Sequence, residues 1–172
     1  MKRFFLFSLI ALLFSTFAFA GNNYQNVEAI IIAKVQAIYA DVNKVYGNNC
    51  DINLDLLYTS KDWQETYSLV EELDNQKETA EEMFFIEDMR WTNAMEPPLR
   101  VANVKVKFID DITALVNFDL YEKNDDYTCE CIRMVYEDGE WKVDDWLSPW
   151  SDWDLLKNMK DYIENGGRKT SE

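Results

Sequence analysis

Residues Tyr127 to Trp146 read YTCECIRMVYEDGEWKVDDW, and this stretch decides the fold class. Two runs rich in aromatic and β-branched residues meet at Asp138-Gly139, a residue pair suited to a two-residue hairpin turn. Such a turn fixes the pairing register, because a slip of one residue would turn every side chain to the other face. Glu137 then opposes Glu140 beside the turn. Beyond it, Tyr136 opposes Trp141, Met134 opposes Val143 and Ile132 opposes Asp145, giving an inward, mostly apolar face. On the other face Val135 meets Lys142, Arg133 meets Asp144 and Cys131 meets Trp146. An opposed Arg–Asp pair suits a solvated sheet surface. Asp145 is the exception on the inward face. A carboxylate there must be paired, lie near the rim, or have a shifted pKa.

Upstream, the same period of two recurs. Val104, Val106 and Phe108 alternate with Lys105 and Lys107, and Asp110-Asp111 makes a turn. Ala114, Val116, Phe118 and Leu120 then alternate with Thr113, Asn117 and Asp119. With the polar turn at residues 123–126, this predicts four sequential strands in an antiparallel meander, covered by helices on one face.

Before Pro97-Pro98 the period is 3.6. Val27, Ile30, Ile31, Val35, Ile38, Val42 and Val45 predict a helix over Asn22–Tyr46, ending at Gly47-Asn48-Asn49. Ile52–Tyr58 is a short apolar piece of one or two helical turns. Ser60 is placed as the N-cap of a second helix carrying Trp63, Tyr67 and Val70 on one stripe. The acidic stretch 71–82 reads as a helix end and loop, and Met83–Ile86 as a return to apolar character. At the C-terminus, Ser151-Asp152-Trp153-Asp154 reads as a capping box. It opens a helix striped by Trp153, Leu156, Met159, Tyr162 and Ile163, and Asn165-Gly166-Gly167 stops that helix.

The first twenty residues have the form of a cleaved targeting segment: Lys2 and Arg3, an apolar run from Phe4 to Phe14, and Ala18-Phe19-Ala20 as the cleavage signal. The expectation is Gram-negative-type export, giving a periplasmic or secreted protein with no stable membrane insertion after cleavage. Residues 21–165 form one domain, and residues 166–172 a flexible tail. The formal net charge is −15, which argues against nucleic acid, whose phosphates need Lys and Arg.

Three cysteines remain. Cys129 and Cys131 share a strand face at roughly 6.6 Å, with parallel Cβ directions that do not suit a bridge to each other. Export favours a disulfide from Cys50 to Cys129 or Cys131, and the sequence leaves the choice open. No histidine occurs in the chain. The usual zinc ligand set, Ser-His nucleophiles and the commonest general base are therefore absent, and neither metal nor cofactor is expected.

Helices, a short aromatic–acidic segment and a meander ending in Gly139-Glu140-Trp141-Lys142-Val143-Asp144-Asp145, a G-x-W-x-[IV]-[DN]-[DN] pattern, resemble the nuclear-transport-factor-2-like superfamily, the cystatin-like cone. Ala114-Leu115-Val116 is similar to that superfamily's recurring A-x-V strand. Leu57-Tyr58-Thr59-Ser60-Lys61, Asp88-Met89-Arg90-Trp91 and Met159-Lys160-Asp161-Tyr162-Ile163 are similar to a bacterial family of exported domains of unknown function within it. The resemblance implies an α+β fold: N-terminal helices packed on one face of a curved four-to-six-stranded antiparallel sheet, with a C-terminal helix. It also implies a pocket between sheet and helices, and pairing of two copies through the outer sheet face, here Arg133, Lys142 and Asp144. Dehydratases of the superfamily use His with Asp, a mechanism this chain cannot run. Steroid-isomerase members use an Asp base and a Tyr-containing oxyanion hole, for which Asp88 and Tyr136 are the available parts.

The expectation is a non-catalytic binding domain for a small molecule or protein, with Asp88, Trp91, Tyr136 and Trp141 lining its site. The rivals are an isomerase- or lyase-like enzyme using Asp88 and Tyr136, and an inhibitor or immunity-type protein with an acidic docking surface. Trp63, Trp91 and Trp141 lie on core-facing stripes, and Tyr136 with Trp141 also reads as a plain cross-strand aromatic pair. Trp150 follows Pro149 in a loop, where an exposed indole can stack on a sugar or bind peptide.

Overall fold

The computed structural model describes the backbone of residues 3–48, 50–77 and 88–168, and the side chains of residues 24–47, 50–77 and 90–168. The side chains of the targeting segment, the Met83–Ile86 stretch and the last four residues lie outside the described residues.

Helical spacing of apolar residues builds the first layer. α1 (Arg3–Asn48) buries Ile31, Val35, Ile38, Tyr39 and Val42 on one stripe and leaves Ile30 in solvent. It runs well upstream of the predicted start at Asn22. α2 (Leu54–Tyr58) is a short helix whose N-cap, Asn53, accepts from the Leu56 N–H at 2.9 Å. Ser60 caps α3 (Lys61–Asp74) as the sequence predicts, its Oγ accepting from the Trp63 N–H at 3.1 Å. Trp63 and Val70 are buried and Tyr67 half-buried on the predicted stripe. A 3-10 helix, Asp88–Trp91, precedes the sheet.

β1 (Arg100–Phe108), β2 (Thr113–Tyr121), β3 (Tyr127–Glu137) and β4 (Glu140–Leu147) form one antiparallel sheet in chain order. Its core face carries Ala114, Val116, Phe118 and Leu120 of β2, and Ile132 and Met134 of β3. α1 lies against β1, while α3 and α4 (Leu155–Glu164) pack on each other and on β4. The chain is therefore α+β, with helices before the sheet and one after it. Among the described residues the sheet has four strands. None of the helices there is long and apolar enough to cross a membrane.

The hairpin turn is as expected: Asp138 has φ 51° and Gly139 φ 87°, the mirror-image turn in which both positions take positive φ. The predicted register holds through Tyr136↔Trp141, Val135↔Lys142 and Met134↔Val143. It then fails. A bulge leaves Asp144 without an opposite residue, so Arg133 opposes Asp145, Ile132 opposes Trp146 and Cys131 opposes Leu147. The cause sits on the free edge of β4. Thr59 bridges Val143, and the Ser60 N–H donates to the Val143 carbonyl at 2.8 Å, pinning the strand at that residue. The shift moves Trp146 from the solvated face into the core and takes Asp145 off the apolar face.

The C-terminal helix starts three residues later than the capping-box reading implies. Asp154 is itself the N-cap, accepting from the Lys157 N–H at 2.8 Å, so Trp153 stands before the helix and is largely exposed. Gly166 and Gly167 belong to the helix end rather than a loose tail. The Gly167 N–H donates to the Tyr162 carbonyl at 2.9 Å, and positive φ at both residues makes the turn.

Candidate functional site

The four residues expected to line one site fall in two places. Tyr136 and Trp141 are a cross-strand pair with ring centroids 5.6 Å apart. They border a groove of about 360 Å³ between the hairpin tip and α1, with Ile30 and Lys34 opposite. Trp91 lies near the other end of β4, buried, its Nε1 donating to Asp55 at 2.8 Å and its ring edge-on to Trp146 at 4.8 Å. Trp141 and Trp146 are five residues apart, about 16 Å along a strand. The side chain of Asp88 lies outside the described residues. The structure therefore brings Tyr136 together with Trp141 and separates both from Trp91.

The outer charges expected to pair two copies are engaged within the chain. Arg133 reaches three carboxylates: Asp144 at 2.8 Å, Asp145 at 3.0 Å and Asp154 at 3.4 Å. Asp144 also accepts from Ser60 Oγ at 2.7 Å, and Asp145 from the Leu156 N–H at 2.8 Å. One guanidinium thus joins β3, β4 and the starts of α3 and α4. Lys142 donates to the Leu57 carbonyl at 2.7 Å. Asp145 is 0% exposed. Burial, reinforced by its hydrogen bond with Asp154, pushes its carboxyl up to about 8, while the N–H of Leu156 and the charge of Arg133 pull the other way. Asp154 moves down despite its own burial, held there by its bonds to Asp145 and to the Lys157 N–H and by Arg133. Of the two carboxyls, Asp145 is the one whose surroundings favour the protonated form.

A different arrangement appears where the two strands of the hairpin stop matching in length. β4 ends at Leu147, opposite Cys131, whereas β3 reaches back to Tyr127. Residues 127–130 of β3 therefore lack a strand neighbour on that side. The loop after β4 and the turn at Asn93 frame the opening, enclosing a pocket of about 320 Å³.

Glu130 forms one wall. It opposes Phe118 and shares strand parity with Ile132 and Met134, so it belongs to the core face of the sheet. Its carboxylate accepts from Asn93 Nδ2 at 2.7 Å. Burial raises its pKa, partly offset by hydrogen bonds from Asn93 and Thr128. Tyr39 lies within the field of that charge, and its buried phenol is held well above its ordinary range.

Arg90 forms the opposite wall. Its side chain is only 6% exposed. It pairs with Asp55 and stacks over Trp63 at 4.8 Å, Tyr67 at 5.3 Å and Trp146 at 5.9 Å. Among the described residues its Nε and Nη1 have no hydrogen-bond partner, and neither does Nε1 of Trp146, which also lines the pocket. A buried donor left unpaired costs about 1–3 kcal/mol.

At the mouth stand Trp153, 46% exposed, and Trp150, 82% exposed. A second hollow of about 550 Å³ shares Cys129, Glu130, Pro149 and Trp150 with the first and continues past Asn117, Asp119 and Lys105. This arrangement can bind. It offers acceptors, unpaired donors and indole faces; its Cys129 thiol donates to Asp119 at 3.6 Å and has a raised pKa, the opposite of an activated nucleophile. Among the described residues no group of three or more Cys, Asp or Glu side chains is placed to hold a metal ion.

All three cysteines are free thiols: Cys50 exposed, Cys129 half-buried, Cys131 buried. The expected bridge from Cys50 to Cys129 or Cys131 is not formed. Burial raises the pKa of both strand thiols, and hydrogen bonding to Asp119 adds to the effect at Cys129.

Of the residues around this pocket, sequence reasoning reached Trp150, through its loop position. It missed Glu130, Arg90 and Asn93. Glu130 was within reach, because counting back from the turn puts it on the face of Ile132 and Met134. Arg90 and Asn93 carry no local signal.

No family model matches the chain, and no match to it was found among the curated proteins or the solved structures.

Proposed function

We propose that this chain is an exported, non-catalytic binding domain of the cystatin-like cone type, and that its ligand is a small polar molecule held between Glu130, Arg90 and Trp150. One observation carries the reading. Among the described residues, Arg90 and Trp146 keep unpaired buried donors beside a pocket whose other wall is the half-buried carboxylate of Glu130. Native interiors leave few polar groups unpaired, and those left at a pocket point to a ligand that pairs them. The export part rests on the pattern of residues 1–20.

The isomerase-like alternative needs Asp88 and Tyr136 to face one substrate. Tyr136 stands at the turn end of the hairpin and is half exposed, whereas Trp91, in the same 3-10 helix as Asp88, packs near the far end of β4. That separation favours binding over catalysis.

A thermal-shift screen of the mature chain against small polar metabolites tests the binding reading. At least one compound raises Tm in the wild type, and the shift is lost in Trp150→Ala and Glu130→Gln. A shift that persists undiminished in both variants, or no shift with any compound, refutes it. Mass spectrometry of periplasmic material should find Gly21 as the first residue. Intact Met1 in the cytoplasm refutes export.

A further inference from the structure

Resting on that binding reading, the chemistry of the two hollows that share Cys129, Glu130, Pro149 and Trp150 defines the ligand class. Each hollow alone falls within the range of about 300–1,000 Å³ that holds a small ligand. Because they share Pro149 and Trp150, a molecule lying across both would pass the Trp150 ring. An indole left 82% in water exposes one of the largest apolar surfaces a residue can offer. Single exposed aromatics need no explanation by themselves. This one stands where the two hollows share a wall, with Trp153 beside the first of them.

The walls discriminate by charge. Glu130 and Asp119, together with a chain of formal charge −15, disfavour an anion. Arg90 in one hollow and Lys105 in the other disfavour a cation. What remains is a neutral ligand that both donates and accepts hydrogen bonds along its length. Hydroxyl groups do both. They can donate a hydrogen bond to Glu130 or Asp119 and accept one from Nδ2 of Asn93. A pyranose ring adds a flat C–H face, weakly positive, that packs on the negative face of an indole.

We infer that the groove spanning Arg90, Glu130, Trp150 and Asp119 binds a neutral oligosaccharide of two or more units, with one ring stacked on Trp150.

Isothermal titration of the mature chain with three sets of probes tests this. The first set is maltotriose, cellotriose, xylotriose and tri-N-acetylchitotriose. The second is free zwitterionic amino acids, and the third is choline. At least one oligosaccharide binds and changes tryptophan emission. Trp150→Ala weakens it about tenfold or more, as does Glu130→Gln. Ile30→Ser, in the separate groove against α1, leaves it unchanged. Because the Trp150 side chain is exposed, Trp150→Ala keeps the wild-type Tm, so lost binding is not lost folding. Trp150-dependent binding of amino acids or choline, with no oligosaccharide bound, overturns the sugar assignment and leaves the binding domain standing. Equal oligosaccharide affinity in Trp150→Ala overturns the placement on this groove. Silence from all three sets overturns both.

Discussion

Asp145 and Glu130 are two carboxylates withdrawn from water, and their surroundings differ in kind. Asp145 is enclosed by Arg133, Asp154 and the first turn of α4. Each of those partners belongs to the chain and ties one element to another. Glu130 has Asn93 and Thr128 on one side and an open pocket on the other. Both groups pay for burial in raised pKa. Asp145 is closed in by the chain's own groups, with its Oδ2 left short of a hydrogen bond among the described residues, whereas Glu130 is hydrogen-bonded and borders an open pocket. A buried charge is therefore a weak pointer to function by itself. The pointer is the open pocket beside it, where, among the described residues, buried donors of Arg90 and Trp146 also lack a partner.

The contrast can be broken most forcefully at Arg133. Arg133→Ala leaves Asp144, Asp145 and Asp154 without their common cation. It should lower stability by about 3–5 kcal/mol, the usual consequence of stranding buried charge. Urea denaturation reads the change, and a loss below 1 kcal/mol would mean that the cluster does not hold the elements together.

Next in size is a pH effect. With Asp145 titrating near 8 in the folded chain and near 3.9 unfolded, the folded state binds the extra proton between those values. Stability should therefore fall as pH rises from 5 to 8. Asp154 works in the opposite sense, its contribution being lost only as pH drops below the ordinary carboxylate range. Asp145→Asn should flatten the decline between pH 5 and 8. An unchanged slope would place the responsible proton elsewhere.

A smaller loss is expected from Ser60→Ala, which removes the cap of α3 and the donor to Asp144 together. About 1–2 kcal/mol should disappear in equilibrium unfolding. A change within error would show that the Asp144 contact does not depend on the cap.

The smallest effect should carry the opposite sign. Glu130→Gln relieves a desolvated charge while keeping an oxygen for Asn93. It should be neutral or stabilising by up to about 1 kcal/mol at pH 7, while ligand binding falls. If Glu130→Gln instead costs as much as Arg133→Ala, both carboxylates are structural and the contrast is void.

The fold was legible because its signals are local. Asp138-Gly139 names a turn, strand alternation names faces, and Ser60 names a helix start. The Arg133 cluster was half legible. Counting from the turn found the right residues and flagged Asp145 as out of place, but the bulge changed the partners. Its cause, the contact of Thr59 and Ser60 with Val143, joins residues more than eighty positions apart. The pocket was the least legible part. It exists because β4 stops before β3 does, and a mismatch of strand lengths leaves no residue pattern. Arg90 gave no local sign of being stacked among Trp63, Tyr67 and Trp146, which come from α3 and β4.

The bulge at Asp144 also bears on how this chain can change over generations. Substitutions there act on one side chain. Losing one codon between Val143 and Trp146 would remove the bulge and still set Trp146 opposite Ile132, now in a regular ladder. Gaining one would turn Trp146 to the outer face unless a second residue bulged. Lineages carrying this core should therefore accept a shorter spacing between Val143 and Trp146 more readily than a longer one.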